Sequence, residues 1–239
     1  IALKKRHKNN IFNIHIQDPK VSLEHFDLII CPEHDELTGE NVIKTKGAIH
    51  YLNDKEISKK SKYINIEKED KKIVTFIIGG PNKYYNFSDR EIDVTFNNMK
   101  SLFTPDKYKI IVIPSYRTPD DIIKKAFNTF GHNHLVIKKI DKNAYLSSLN
   151  LADIIVVTCD STSMISESAI TGKPIYVAQM KPIKNNLRFK KFYNEFKNLG
   201  IIKDLEVGKG IDLWSYNKLD EANRIAPIIR ERMKLNGII

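Results

Sequence analysis

What this 239-residue chain has little of narrows its class quickly. It holds only two cysteines, Cys31 and Cys159, far apart in the sequence. That excludes a disulfide framework and a cysteine-based metal site; each closes an apolar run and reads as a buried, reduced strand-end thiol. No apolar run approaches the roughly 18 residues of a membrane span, and stretches such as "FDLIIC" and "ADIIVV" are strand-sized. Internal repeats and low-complexity tracts are absent. So are G-x-G-x-x-G and Walker-type loops, which argues against a nucleotide triphosphatase or a standard dinucleotide enzyme.

What remains is the composition of a folded globular protein, 41% hydrophobic and 28% charged, long enough for one large domain or two modest ones. The net charge of +10 calls for polyanionic company such as nucleotide phosphates or anionic lipid headgroups. Its lysines are scattered as "KKRHK", "KKSK", "KEDKK", "IKK" and "FKK" rather than gathered on one element between aromatics, so nucleic acid is not an expected partner.

Strand-like and helix-like segments alternate. Strands are expected at 11–17, 26–32, 72–80, 108–114, 134–139, 153–159 and 174–179. The polar stretch 53–72 reads as a linker. Between the later strands, 88–103 reads as a helix with Ser88 and Glu91 as a capping box and Ile92, Phe96, Met99 and Phe103 as its apolar stripe. A second helix opens with Thr118 as N-cap and Pro119 at its first position, and stops at Gly131. Further helices are expected at 143–152, 162–171, 187–200 and 217–235, the last interrupted by Pro227. Such alternation implies right-handed βαβ crossovers and parallel sheets with helices on both faces. The fold class is α/β.

In open parallel sheets ligands bind beyond the carboxyl ends of the strands, so the residues just past each strand are the candidates. After 73–78 come Gly79, Gly80 and Pro81, where glycines permit positive φ and close backbone approach to a phosphate. After 108–114 come Ser115, Arg117 and Thr118; a guanidinium there can grip a diphosphate bidentately. After 153–158 comes "CDSTSMISE", with Asp160, Ser161, Ser163, Met164, Ser166 and Glu167. Ser163 and Glu167 stand i, i+4 on one helix face with Ser166 beside them, while Ile165 and Ala169 turn toward the sheet. A helix N-terminus favours an anion, and a glutamate one turn further in is placed to accept from ribose hydroxyls. One N-cap needs one hydroxyl, and here there are several. After 26–32 come Glu33, His34 and Asp35, titratable groups suited to a general base or to a solvated loop. They lack metal-ligand spacing on a helix, and no metal is expected.

The blocks "HIQDP", "FDLIICPEHDELTGENVIKTKGAIH", "IIGGPNKYYNF", "PSYRTP" and "VVTCDSTSMISESAITGKPIYV", in that order, resemble the mitochondrial-fission-type (elongated-mitochondria-like) glycosyltransferase family over nearly the whole chain. That resemblance implies a GT-B-like arrangement of two Rossmann-like domains facing across a cleft. It divides the chain into 1–58 as a partial acceptor-side domain, 70–225 as the nucleotide-sugar domain and 226–239 as a helix packing back on the first. With Ile1 in place of a starting Met, part of the natural N-terminus is expected to lie outside this chain, and residues 1–8 to end a helix of that part. The resemblance further implies a metal-independent transferase needing no cofactor beyond its nucleotide-sugar donor. Ser163 and Glu167 would contact ribose and phosphate, Gly79, Gly80 and Arg117 the diphosphate, and Asp35 or His34 would be the base, with inverting and retaining chemistry both open. The acceptor would be a lipid or cell-envelope molecule, and the protein cytoplasmic, in peripheral contact with the inner face of an anionic membrane. Two alternatives stand beside this: a non-catalytic membrane-associated adaptor, and a nucleotide-sugar epimerase or hydrolase.

Overall fold

The computed structural model describes residues 6, 11–67 and 69–239. The expected helix end at 1–8 lies outside these apart from Arg6. The chain divides into two compact units, Ile1–Tyr51 with Leu219–Ile239, and Leu52–Lys218. The joints thus fall after Tyr51 and Lys218 rather than near residues 58–70 and 225.

In the first unit three parallel strands, β1 (Ile14–Ile16), β2 (Leu28–Pro32) and β3 (Val42–Thr45), lie in the order β1-β2-β3. Leu28 and Ile30, two apart and therefore on one face of β2, pack with Ile225 and are joined by Phe12, Ile43, Ile49 and Ile229. Ile225 and Ile229 come from the terminal helix α7 (Glu221–Leu235). Pro227 was expected to break this helix, yet the helix runs through it. The missing proline N–H costs one backbone bond, while Ile225 and Ile229 hold the turns on either side against the sheet.

The second unit is a six-stranded parallel sheet in the order β6-β5-β4-β7-β8-β9. Its strands are β4 (Lys72–Ile78), β5 (Tyr108–Pro114), β6 (Leu135–Val136), β7 (Ile154–Thr158), β8 (Ile175–Ala178) and β9 (Ile202–Asp204). Its helices are α1 (Asp54–Ser58), α2 (Asp89–Leu102), α3 (Asp120–Phe130), α4 (Lys142–Leu151), α5 (Thr162–Ala169) and α6 (Leu187–Asn198). Alternation along β4 sends successive side chains to opposite layers. Phe76 meets Phe96 of α2 and Phe130 of α3 edge-on at 6.1 and 6.3 Å. On the other face Ile73 packs with Ala144 of α4, and Thr75 donates its hydroxyl to the Ser148 carbonyl, 2.8 Å. Strand order climbs from β4 to β6 on one side, then resumes with β7 on the other side of β4. The topological switch point therefore lies between the ends of β4 and β7.

Three local expectations are corrected. The stretch 53–72 is not a linker. Asn53 caps α1 by accepting from the Glu56 N–H at 3.0 Å, and Ile64 is buried with Ile73, Ile111, Ile113 and Ala144. Two isoleucines, Ile57 and Ile64, suffice to anchor an otherwise polar segment. Ile64→Ala should cost about 2–4 kcal/mol in a urea titration, as for other buried aliphatic truncations; a shift under about 0.5 kcal/mol would return the segment to linker status. The capping box is half made: Ser88 accepts from the Glu91 N–H, but the Glu91 carboxylate accepts from the Lys181 N–H at 3.0 Å instead. Thr118 does not cap α3, whose N-cap is Pro119; its hydroxyl is drawn off to the carbonyls of Ile78 and Gly79, at 2.8 and 2.7 Å.

Candidate functional site

The end of β4 is where the second unit concentrates its buried polar groups. Thr158 closes β7 and points its hydroxyl at Asp160 Oδ1, 2.6 Å, while accepting from the Gly79 N–H at 2.8 Å. Asp160, whose side chain is closed from solvent, also accepts from the Gly80 N–H at 3.2 Å and from Arg117 Nη2 at 2.5 Å. Arg117 donates a second bond from Nη1 to the Gly80 carbonyl, 2.8 Å, and its side chain keeps 38% of its surface exposed. Ser115, on the same β5 loop, accepts from the Arg117 N–H at 3.3 Å and lies 3.1 Å from the Thr118 hydroxyl. Three strand ends are thereby bound into one rim. Burial pushes the Asp160 carboxyl above the ordinary carboxylate range; the Thr158 hydroxyl, Arg117 and the Gly80 N–H pull it back down.

The glycines serve close approach and not positive φ. Neither Gly79 nor Gly80 is among the residues with φ > 0. A Cβ on Gly79 would fall 2.2 Å from both Asp160 carboxylate oxygens, and one on Gly80 would fall 1.9 Å from the Arg117 carbonyl oxygen. Their amides, expected to cradle a phosphate, donate within the protein. Pro81 beyond them is exposed.

From Asp160 the chain turns into α5. Ser161 is the N-cap, its hydroxyl accepting from the Met164 N–H at 3.3 Å. Ser163 is exposed and Met164 half-buried in the first turn. Glu167 follows one turn on and accepts from the Tyr145 hydroxyl of α4 at 2.7 Å. Ser166 does not join Ser163 on the open face. It is fully buried beside Ile165, and its hydroxyl bonds back to the Thr162 carbonyl, 2.8 Å. Residues 165 and 166 are both buried in so short a helix, which an i, i+4 pairing alone does not show.

Beneath the rim lies a polar layer that sequence reading missed. Asn82 donates to the Asp160 carbonyl at 3.0 Å and accepts from the N–H groups of Tyr84 and Tyr85. The Tyr85 hydroxyl receives a bond from Asn186 Nδ2 at 3.0 Å, Tyr193 donates its hydroxyl to the Cys159 carbonyl, and the Met180 N–H points at Cys159 Sγ. Burial pushes both the Tyr85 phenol and the Cys159 thiol up to about 12, so neither ionises near neutral pH. Thr158 was visible in "VVTCDS" as a strand-end hydroxyl; Tyr145, Asn82 and Asn186 carry no signal of their own.

In the first unit Glu33–Asp35 form a 3-10 turn after β2. His34 Nε2 lies 3.9 Å from Asp35 Oδ1, with side chains only 1% and 8% exposed, and Cys31 Sγ is 3.7 Å from Asp35 Oδ2. Glu33, 39% exposed, is paired with Lys46. Of the three, Glu33 is the side chain an incoming molecule can reach. Among the described residues no group of three or more His, Cys, Asp or Glu side chains is placed to hold a metal ion, and no helix is long and apolar enough to cross a membrane.

Two parallel α/β units, one of them a doubly wound sheet with a polar rim at its switch point, define a Rossmann-like α/β protein. The chain belongs to the mitochondrial fission ELM1 family, whose profile matches residues 1–233. It is 26% identical over 265 residues to the mitochondrial fission protein ELM1 of Arabidopsis thaliana, covering 99% of this chain and 61% of that protein. To the uncharacterized protein RP120 of Rickettsia prowazekii it is 27% identical over 273 residues, covering 98% of this chain and 76% of that protein. Among solved structures, the Staphylococcus aureus MnaA–UDP complex aligns with a TM-score of 0.49 at 13% identity, over 87% of this chain and 52% of that one.

Proposed function

We propose that this chain is a glycosyltransferase of GT-B type that holds a nucleotide-sugar at the switch point of its second unit and transfers the sugar to a lipid or cell-envelope acceptor. The observation that carries the reading is the rim itself: half-exposed Arg117, the α5 N-terminus with Ser161 and Ser163, and Glu167, all set by the β4, β5 and β7 ends. A diphosphate placed there would meet the positive end of a helix and a guanidinium already fixed on Asp160. Those same groups would stabilise charge on the departing diphosphate, so no metal is needed in this reading. Glu167, steadied by Tyr145, would accept from the ribose hydroxyls. In the first unit the base belongs to the 33–35 turn, where Glu33 is the accessible member and Asp35 sits behind it with His34. The basic charge suits work in the cytoplasm against the inner face of an anionic membrane.

The test is a melting series with UDP, GDP, CMP, dTDP and their sugars. One nucleotide should stabilise the protein by about 2.7 kcal/mol at 100 times Kd, and Glu167→Ala or Ser163→Ala should remove most of that gain. No shift with any nucleotide would overturn the donor site. A second reading, a non-catalytic adaptor, is favoured by one observation: the Gly79 amide is already taken up by the Thr158 hydroxyl and the Gly80 amide by Asp160. Binding without turnover over candidate lipid acceptors would support it.

A further inference from the structure

Lysines far apart in the sequence are brought by the fold to one tyrosine ring of the second unit. The loop after β8 and the first turns of α6, residues 181–194, contain Lys181, Lys184, Arg188, Lys190 and Lys191 and no acidic residue. The loop after β4, residues 79–88, contains Lys83 and again no acid. These loops are joined: the Ile183 N–H donates to the Tyr84 carbonyl at 2.8 Å, and the Tyr84 ring packs edge-on to Phe189 at 5.2 Å. Lys83 and Lys184 both reach the Tyr84 ring, their Nζ atoms 5.1 and 5.3 Å from its centroid. Two acids border the 181–194 segment: Glu91, whose carboxylate receives the Lys181 N–H, and Glu195, further along α6.

Two large apolar side chains of the same 181–194 segment are exposed. Ile183 is 56% exposed and Leu187 54% exposed, while the inner side of α6 is fully used by Phe189, Phe192, Tyr193 and Phe196. Exposed aliphatics interleaved with cations, beside a tyrosine ring that carries two lysines, fit a surface that is negatively charged outside and apolar a few ångströms below. Tyrosine and long basic side chains are at home at that depth, where the ring and the methylene stems are apolar and the tips stay wet. A phosphate backbone offers the charge but gives Ile183 and Leu187 no apolar layer to enter.

We propose that this face, built on Lys83, Tyr84, Ile183, Lys184, Leu187 and Arg188, is a peripheral docking surface for an anionic lipid bilayer. Asn82 ties the Tyr84 loop to the Asp160 turn, so a docked membrane lies beside the switch-point rim. The inference stands on charge and exposure and does not require that a nucleotide-sugar bind there.

Flotation with phosphatidylcholine vesicles, and with vesicles carrying about one-third phosphatidylglycerol, tests it at physiological salt. The chain should float with the anionic vesicles and not with the neutral ones. Each juxtamembrane cation adds affinity roughly severalfold, so Lys184→Gln with Arg188→Gln should weaken binding on the order of tenfold or more. Ile183→Ser with Leu187→Ser should weaken it as well, and leave a residue of binding that high salt abolishes. Lys209→Gln with Lys234→Gln removes the same charge from exposed positions elsewhere and should change little. All variants lie on the surface and should melt within a few degrees of the parent, read by circular dichroism. Failure to float, or equal losses for the two charge-matched pairs, would overturn the assignment. So would tighter binding to single-stranded RNA than to vesicles, weakened by the Lys184/Arg188 pair and indifferent to the Ile183/Leu187 pair.

Discussion

Arg117→Met should destabilise the protein by about 3 kcal/mol at pH 8, with the loss shrinking as the pH is lowered. The reason is the partner left behind. Asp160 is wholly enclosed, and without the guanidinium its carboxylate keeps only the Thr158 hydroxyl and the Gly80 N–H. Removing one member of a buried pair typically costs about 3–5 kcal/mol; the lower end applies because Arg117 is partly exposed and already screened by solvent. For a chain of this size that corresponds to a fall of roughly 6–12 °C in Tm. The pH dependence has a definite sign. Burial already raises the Asp160 carboxyl above its ordinary value of 3.8, and Arg117 is one of the groups holding it down, so the variant raises it further. A carboxyl raised in the folded state contributes stability below its unfolded pKa and loses that contribution as pH climbs through the folded one. The deficit is therefore smallest in acid and largest above neutrality. Adding Asp160→Asn to Arg117→Met removes the titrating group, and the double variant should be the more stable of the two at pH 8. Urea midpoints at pH 5 and pH 8 for both variants decide it; a deficit independent of pH would mean that Arg117 acts through packing alone.

The strands and most helices of this molecule were legible because their apolar periods are clean. "KIVTFII", "YKIIVIP" and "DIIVV" are continuous runs that only a two-sided parallel sheet buries, and β4, β5 and β7 fall on them. The stripe Ile92, Phe96, Met99 and Phe103 is buried as its spacing requires. The rim was legible for a different reason: polar residues at strand ends have no core to enter. Gly79, Gly80, Ser115, Arg117, Thr118 and Asp160 each lie just past the end of β4, β5 or β7, and adjacent parallel strands bring those ends together.

How those residues bond to each other was not legible, since it depends on contacts between segments some forty or eighty positions apart. Thr118 looked like a cap because the signal for a cap is local; two carbonyls at the end of β4 outbid the helix for its hydroxyl. Ser166 looks like a displayed hydroxyl in the sequence, yet tertiary packing buries its side of α5. Residues 53–72 looked like a linker because composition averages over a window, and a window of lysines and serines hides two isoleucines that pack. The basic face around Tyr84 was hidden in the same way, its cations lying in two runs that meet only when the β4 and β8 loops are laid side by side.

Gly80→Ala should be the most disruptive single methyl in the second unit. The added carbon would sit 1.9 Å from the Arg117 carbonyl oxygen and 2.3 Å from its carbon. These are backbone atoms and cannot swing aside as a lysine tip would. Either the end of β4 or the 115–118 loop must move. Moving the loop loosens the Ser115 N–H bond to the Ile78 carbonyl and both guanidinium bonds, to the Gly80 carbonyl and to Asp160. Overpacking of this kind costs about 1–3 kcal/mol where side chains can yield and more where they cannot, so a loss of about 3 kcal/mol or more is expected. Gly172→Ala is the useful comparison. That glycine takes φ +70° at the end of α5, with its nearest neighbour, a lysine methylene, 3.3 Å from an added carbon. Its cost is chiefly the left-handed backbone, about 1–2 kcal/mol, because the lysine stem that crowds it is flexible and gives way. The two variants thus separate space from conformation in one urea series. If Gly80→Ala unfolds no earlier than Gly172→Ala, the β4 end and the Arg117 loop do not meet at the distance described, and the rim would have to be held by Asp160 without them.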